Sequence, residues 1–440
     1  MSTIKKIILL LLDGLGDRSY GALNGRTPLQ AAETPHLDHL AGLGGNGLYH
    51  ASTPGQCLPS ETAHYLLFGY DLKTFPGRGL LEAVGAEIPF QENDVLCLAH
   101  LSEVTMVEGV PVLTGGRKDI EGSREELGSL YASIGSFEWE GVACQLHQTG
   151  RNDGILVLSG EVSPHITDSD PMIPNMAIAR IFPVEPNPEP GKADTTARAL
   201  NAYLSHCYHV LDAHNENHLR RERRLRAANF LTTQRCGRRI LQEPFADLWG
   251  MTGMMIASGL MYKGLAQELG FTFRQVKDSS DPGGDLRERI NMALTDDSHQ
   301  FVHVHTKVAD QAAHSGDPMG KQEVITAVDR GLDGLVKALK VRDDILVVIT
   351  ADHSTPSQSP LIHSGEPVPL SMVGHGVRRD RVKAFDEVSA ATGCLGLLRG
   401  KDLILSILNC ADRSVLLGHR LGESEKPYIS SSYAPFKIAD

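Results

Sequence analysis

The sequence predicts an α/β protein with a mainly parallel sheet and a smaller α+β module inserted into it. Three observations carry this. Continuous apolar runs, IILLLL at 7–12 and ILVVI at 345–349, read as strands buried on both faces, as in a parallel sheet. Strand-like and helix-like stretches alternate towards both ends of the chain. Between them, residues 94–175 have a different texture: short apolar runs separated by turn residues, as in an antiparallel sheet.

Size and charge bound the rest. A chain of 440 residues exceeds one small core. A net charge of −12 argues against nucleic acid or an anionic membrane as the main partner. Any phosphate site must then draw positive charge locally, from metal, arginine or backbone amides. The first apolar run ends in Asp13 with no small-residue cleavage site, so it reads as a core strand and not a signal peptide. No run reaches membrane-spanning length. Seven cysteines (57, 97, 144, 207, 236, 394, 410) are scattered, odd in number and lack a CxxC. They predict a reduced, cytoplasmic chain without a disulfide frame.

In chain order, 5–12 is a strand and DGLGD a tight turn that leaves Asp13 at the strand's carboxyl end. Gly14 and Gly16 lack the third glycine of a dinucleotide loop, and two acidic residues stand where phosphate would go. Thr27-Pro28 and Thr34-Pro35 each open a helix, threonine as N-cap and proline at the first position. Residues 54–71 form a turn and then a helix, with Ser60 at its N-terminus. Ser60 is either a plain N-cap or a nucleophile at a place that favours negative charge.

VLCLAHL, GVPVL, VACQLH and GILVLSG are the short strands of the inserted module. PVEPNPEPGK (183–192) is a proline-rich link, and a helical segment follows from about 195 to the basic run 219–226, read as a solvated face. Histidines 206, 209, 214 and 218 are too irregularly spaced to suggest a metal cluster. The large-domain pattern then resumes, with strands at 228–233, 252–258 and 299–306 and helices at 259–269, 284–295 and 400–408. This assigns 1–93 and 228–440 to the core and 94–227 to the insert.

Polar residues gather at the strand ends: Asp13, Ser60, Asp310, His314, Asp352, His353 and His363. Taken alone, Asp352 or Ser354 could cap a helix and His363 be an ordinary loop histidine. Taken together they form a ligand set. Asp310 and His314, four apart, share one helical face, with Lys307 one turn earlier. Mixed carboxylate and imidazole donors suit Zn²⁺, Mn²⁺ or Co²⁺ better than Ca²⁺ or Mg²⁺. Seven ligands are too many for one tetrahedral ion and about right for two, an arrangement that can clamp a phosphoryl group and activate a hydroxyl nucleophile.

The ordered set LLDGLGDR, GRTPLQAAETPHLDHLA, SETAHYLLFGYD, GRGLLEAVG, K-x-x-D-x-x-x-H at 307–314, ADHSTP…HSGEPVPL and FDEVSAATGCLGLLRGKDLILSILN covers nearly the whole chain. It resembles the archaeal-type cofactor-independent (2,3-bisphosphoglycerate-independent) phosphoglycerate mutases of the alkaline phosphatase superfamily. The resemblance implies an alkaline-phosphatase-like three-layer sandwich with a substrate-binding or cap insert. It implies two divalent ions (Mn²⁺, Zn²⁺ or Co²⁺, with Mg²⁺ possible), one held by Asp13, Ser60, Asp352 and His353, the other by Asp310, His314 and His363. Ser60 would become phosphoserine as 3- and 2-phosphoglycerate interconvert, and Lys307 would neutralise charge on the moving phosphoryl. Arg78, His64 and Arg235 are candidates to meet the small phosphorylated metabolite.

The insert departs from the family. The arginine-rich stretches that help hold phosphoglycerate are replaced by CLAHLSEVT (97–105) and GGRKDIEGSREEL (115–127). KDSSDPGGDL (277–286) is altered as well, and Glu366 stands where Asp is usual. The alternative expectation is therefore a metal-dependent phosphomonoesterase, or a mutase of another small phosphorylated metabolite.

Overall fold

The computed structural model describes residues 4–429 and 434–438. The strands, in chain order, are β1 (Lys6–Leu12), β2 (Gly45–His50), β3 (Val95–Val107), β4 (Val110–Gly115), β5 (Ser136–Trp139), β6 (Val142–Gln148), β7 (Gly154–Ser159), β8 (Phe230–Gly237), β9 (Gly253–Ala257), β10 (Thr272–Gln275), β11 (Phe301–Thr306), β12 (Ile345–Thr350), β13 (Val368–Val373) and β14 (Gly396–Arg399). The chain forms two compact units, one running to Phe75 and resuming at Gln242, the other spanning Pro76–Leu241.

The first unit is built on an eight-stranded sheet in the order β10-β9-β11-β1-β12-β13-β2-β14. β1 lies parallel between β11 and β12, and all seven of its residues are buried. Both faces are covered, so the IILLLL run shows no apolar–polar alternation. Only β13 runs antiparallel to its neighbours. The carboxyl ends of β11, β1 and β12 therefore share one edge, and the ligand candidates leave the sheet there.

Local sequence explains the helix starts. Thr27 accepts from the Gln30 N–H and Gln30 returns the bond, a complete capping box before Pro28–Ala31. Thr34 precedes Pro35–Ala41 but its side chain makes no cap bond. Asp329, remote in sequence, accepts from the N–H groups of His36 and Leu37 instead.

The second unit holds a six-stranded antiparallel sheet, β4-β3-β7-β6-β5 with β8 on β3. Here three expectations are corrected. Residues 228–233 do not resume the large sheet. β8 pairs with β3, and helix Arg78–Gly85 packs on both, so the unit reaches from 76 to 241 instead of from 94 to 227. An apolar run marks a strand without naming its partner. Second, Cys97 on β3 and Cys236 on β8 form a disulfide across 139 residues, a neighbourhood that strand pairing creates and spacing cannot show. Third, the basic run is not wholly a solvated face. Arg220 is fully buried and donates to the carbonyls of Arg226 and Glu121 and to Glu126, while Arg221, Arg223, Arg224 and Arg226 are exposed. The histidines at 206–218 form no metal-holding group among the described residues. No helix among these residues is long and apolar enough to cross a membrane.

One buried cation ties this edge of the sheet together. Lys321, on helix Pro318–Asp329, is wholly buried. Its ammonium meets the carbonyls of Gly14 (2.8 Å), Gly16 (3.0 Å) and Thr355 (2.9 Å) and the Asp17 carboxylate (3.1 Å). The loop after β1 is thereby joined to the loop after β12. Burial lowers the lysine's pKa, and Asp17 opposes that shift. Replacing Lys321 by Met keeps the stem's bulk but leaves the buried Asp17 carboxylate without its counter-ion and removes a charged donor from three carbonyls. Lys321→Met is expected to lower the unfolding free energy by about 3–5 kcal/mol in chemical denaturation.

Candidate metal centre and active site

β1 ends at Leu12, and the N–H of Asp13 still bonds to the Thr306 carbonyl at the end of β11. The next residue, Gly14, has φ +65°, and a Cβ there would lie 2.7 Å from both Asp310 Cβ and Thr355 Oγ1. Only glycine suits that conformation and that crowding. β12 delivers Asp352 and His353 beside it, and β11 delivers Lys307 and helix Val308–Ala313, which carries Asp310 and ends at His314. No helix follows Asp352, so the capping alternative fails. Ser354 Oγ instead donates to the Glu366 carbonyl, folding 354–366 into a closed loop that returns His363 to the site.

Helix Ser60–Leu67 has Pro59 at its N-cap and no side-chain cap bond, so Ser60 is not a cap. Its hydroxyl lies 3.0 Å from His353 Nε2. The same nitrogen is 3.4 Å from Asp13 Oδ1 and 3.2 Å from Asp352 Oδ2. Asp13, Asp352 and His353 bring three donor atoms within ion-holding range, and Asp310, His353 and His363 form a second such group. His353 thus stands between the two, its ring stacked on His363 at 3.7 Å. His314 joins the second group through Asp310, with Nε2 3.3 Å from Asp310 Oδ1.

The histidine tautomers are set from outside the site. Thr355 Oγ1 donates its one proton to Asp310 (2.8 Å), so it accepts from His353 Nδ1 (3.1 Å). That leaves a lone pair on His353 Nε2, facing Ser60 and the carboxylates. His363 Nδ1 donates to the Leu58 carbonyl (2.7 Å) and turns its Nε2 towards Asp310. A neutral imidazole oriented by its second nitrogen is what a metal ligand needs.

The electrostatics fit cations. Asp13 Oδ1 and Asp352 Oδ2 are buried with no hydrogen-bond partner. Burial, and then the neighbouring Asp13 charge, push the Asp352 carboxyl well above its ordinary value. Burial opposes ionisation of Asp13 too, but the hydrogen bond from His305 holds it well below. Burial also pushes His353 down to about 4, keeping the imidazole unprotonated and available to a metal at neutral pH. Two bare carboxylate oxygens flanking an imidazole lone pair in a desolvated pocket are a strained arrangement that a divalent ion would satisfy.

Other expected residues fall in different places. Lys307 Nζ is held by Asp278 at 3.1 Å, and Asp278 is held in turn by Arg289 and Ser258. His64 is wholly buried, its Nδ1 donating to the Ser60 carbonyl (2.8 Å) and its ring packed edge-on to His303, His305 and Tyr262. Burial pushes its pKa to about 3. A buried ring that supports Ser60 from below is not a substrate contact, which corrects that expectation. Arg78 and Arg235 do come together, within the second unit. They line a cavity of about 100 Å³ with Arg117, His100 and Gln234. Arg78 also pairs with Glu82, and Arg235 sits at φ +54° with its N–H bonded to Asp168. His100 is paired with Asp170 at 2.9 Å.

Sequence reasoning missed Thr355, Lys321, Tyr262, His305, Asp278 and Arg117. For His305 a signal existed. The alternation His303–Val304–His305 in an apolar strand puts two imidazoles on one buried face.

Carboxylate and imidazole donors at the carboxyl edge of a mainly parallel sheet, with a serine among them, define a metalloenzyme. The comparisons agree: the profile of the Metalloenzyme superfamily matches residues 5–409. The 2,3-bisphosphoglycerate-independent phosphoglycerate mutase 2 of Methanocaldococcus jannaschii is 40% identical over 432 residues, covering 96% of this chain and 97% of that one. The 2,3-bisphosphoglycerate-independent phosphoglycerate mutase of Methanopyrus kandleri is 34% identical over 415 residues, 93% of this chain and 97% of that one. Among solved structures, the PH0037 protein of Pyrococcus horikoshii superposes with a TM-score of 0.74 at 27% identity, covering 94% of this chain and all (100%) of that one. The cofactor-independent phosphoglycerate mutase of Thermoplasma acidophilum does so with a TM-score of 0.60 at 29% identity, over 93% and 100%. The chain belongs to the 2,3-bisphosphoglycerate-independent phosphoglycerate mutase family of metalloenzymes.

Divalent metal should therefore stabilise the folded chain by mass action. Mn²⁺ at 100 times its dissociation constant is expected to add about 2.7 kcal/mol per site, and chelator to remove it. Calorimetric melting of metal-free and metal-loaded protein measures the difference.

Proposed function

We propose that this chain interconverts 3-phosphoglycerate and 2-phosphoglycerate with two divalent ions, through a phosphoserine at Ser60. The observation that carries the reading is the Ser60 hydroxyl, at a helix N-terminus, free of capping and 3.0 Å from His353 Nε2 between two groups of metal donors. Full-length likeness to proteins named as phosphoglycerate mutases supports the substrate.

Asp13, Ser60, Asp352 and His353 would hold one ion, and Asp310, His314 and His363 the other, with Mn²⁺, Zn²⁺ or Co²⁺ favoured and Mg²⁺ as a further candidate. When bound, the ions supply Lewis acidity that favours the serine alkoxide and offsets the phosphoryl charge. Ser60 Oγ attacks the substrate phosphorus as the bond to the glycerate oxygen breaks, and the serine proton ends on that oxygen. The retained glycerate then presents its neighbouring hydroxyl to the phosphoserine, and the reverse displacement restores Ser60. The partial positive charge at the start of helix Ser60–Leu67 favours the transferring group, and the Lys307 ammonium would neutralise its negative oxygens.

The second unit acts in this reading as the substrate-binding cap. Arg117 and Arg235, with Arg78, would supply the positive charge that the family's arginine pattern supplies in the insert. Their small cavity suits a carboxylate-bearing three-carbon acid. Holding the glycerate and excluding water separates mutase from phosphatase chemistry.

Metal-loaded protein given 3-phosphoglycerate is expected to yield 2-phosphoglycerate. Release of free phosphate without the isomer would replace the proposal with a phosphohydrolase. Ser60→Ala is expected to abolish both turnover and phosphoenzyme, and full turnover of that variant would remove Ser60 as nucleophile. Arg117→Ala and Arg235→Ala should each raise KM about 10- to 100-fold, as expected for the loss of a charge-assisted bond. Steady-state kinetics on both substrates measures this.

A further inference from the structure

Asp13 is gripped on one oxygen only. Its Oδ2 accepts from the Tyr262 hydroxyl at 2.9 Å and lies 3.1 Å from His305 Nε2. An ionised carboxylate can only accept, so His305 carries its proton on Nε2. Its Nδ1 is left buried and unpartnered. The two donors come from separate elements, Tyr262 from helix Leu260–Glu268 and His305 from β11. The other oxygen, Oδ1, has no hydrogen-bond partner and lies 3.4 Å from His353 Nε2.

We propose that Tyr262 and His305 are positioning residues for the metal centre. They hold the Asp13 carboxylate so that Oδ1 alone is offered to the ion on the Ser60 side, while Oδ2 is withdrawn from it. The inference rests on Asp13 being a metal ligand. Three features favour it over simple space-filling. Both donors converge on one oxygen instead of satisfying one each. His305 leaves its own Nδ1 unmatched to make this bond. The Tyr262 ring is packed at 4.1 Å against the His305 ring, which keeps the pair in register. With Oδ2 doubly occupied, the carboxylate has little freedom to turn into a chelating pose, and its ordering entropy is met before metal arrives.

The test is a Mn²⁺ titration of metal-free full-length protein by calorimetry, with denaturant unfolding of each metal-free variant alongside. Asp13→Ala should lose one of the two ions. Tyr262→Phe and His305→Gln should each weaken that same ion about 10- to 100-fold and leave the other unchanged. If Asp13→Ala keeps both ions, the ligand reading of Asp13 fails. If Asp13→Ala loses one and the two positioning variants bind it as tightly as wild type, only this proposal fails. A loss of metal-free stability without any change in affinity assigns the pair a structural role and also overturns it, as does failure of both variants to fold.

Discussion

Everything at the catalytic edge depends on one unfavourable juxtaposition. Parallel pairing of β1 with β12 sets Asp13 and Asp352 side by side in a pocket closed to water. Two carboxylates there repel each other and lack solvent, so one is pushed towards its neutral form. A protein would not keep such a pair for stability. In the proposed function the pair is a preorganised cradle whose repulsion a divalent ion would remove on binding.

Keeping that cradle intact requires rigid loops, and the structure supplies them with buried polar bonds rather than regular secondary structure. Lys321 joins the loops after β1 and β12 through three carbonyls and Asp17. Thr355 links His353 to Asp310, coupling the two donor groups through one hydroxyl. The Ser354–Glu366 bond closes the excursion that carries His363. The Lys321 bonds to Gly14 and Gly16 span segments about 300 residues apart and are buried, where hydrogen bonds are stronger and their loss dearer.

The second unit gathers arginines from distant parts of the chain. The arginine pattern of the insert is not kept, yet Arg78, Arg117 and Arg235 meet in one cavity. Arg235 reaches it from a β3–β8 pairing interrupted by a register shift, where it takes a left-handed backbone conformation beside the disulfide-bonded Cys236. A helix, a turn and a strand thus each bring one cation to a chain whose net charge is −12.

Much of this was legible in the sequence. The apolar runs of β1 and β12, the proline-led helices and the order of Asp, Ser and His residues are local properties, carried by side-chain periodicity and type. They named the sheet class and the residues proposed as metal donors. What only the tertiary structure decided are relations between distant segments. Among these are β8 joining the insert, Cys97 meeting Cys236, Arg220 turning inward, His64 lying beneath Ser60, and Tyr262 with His305 closing on Asp13. The physical reason is common to all of them. A strand's pattern says which face is buried, but the partner is chosen by sheet order, and sheet order follows from how the whole core packs.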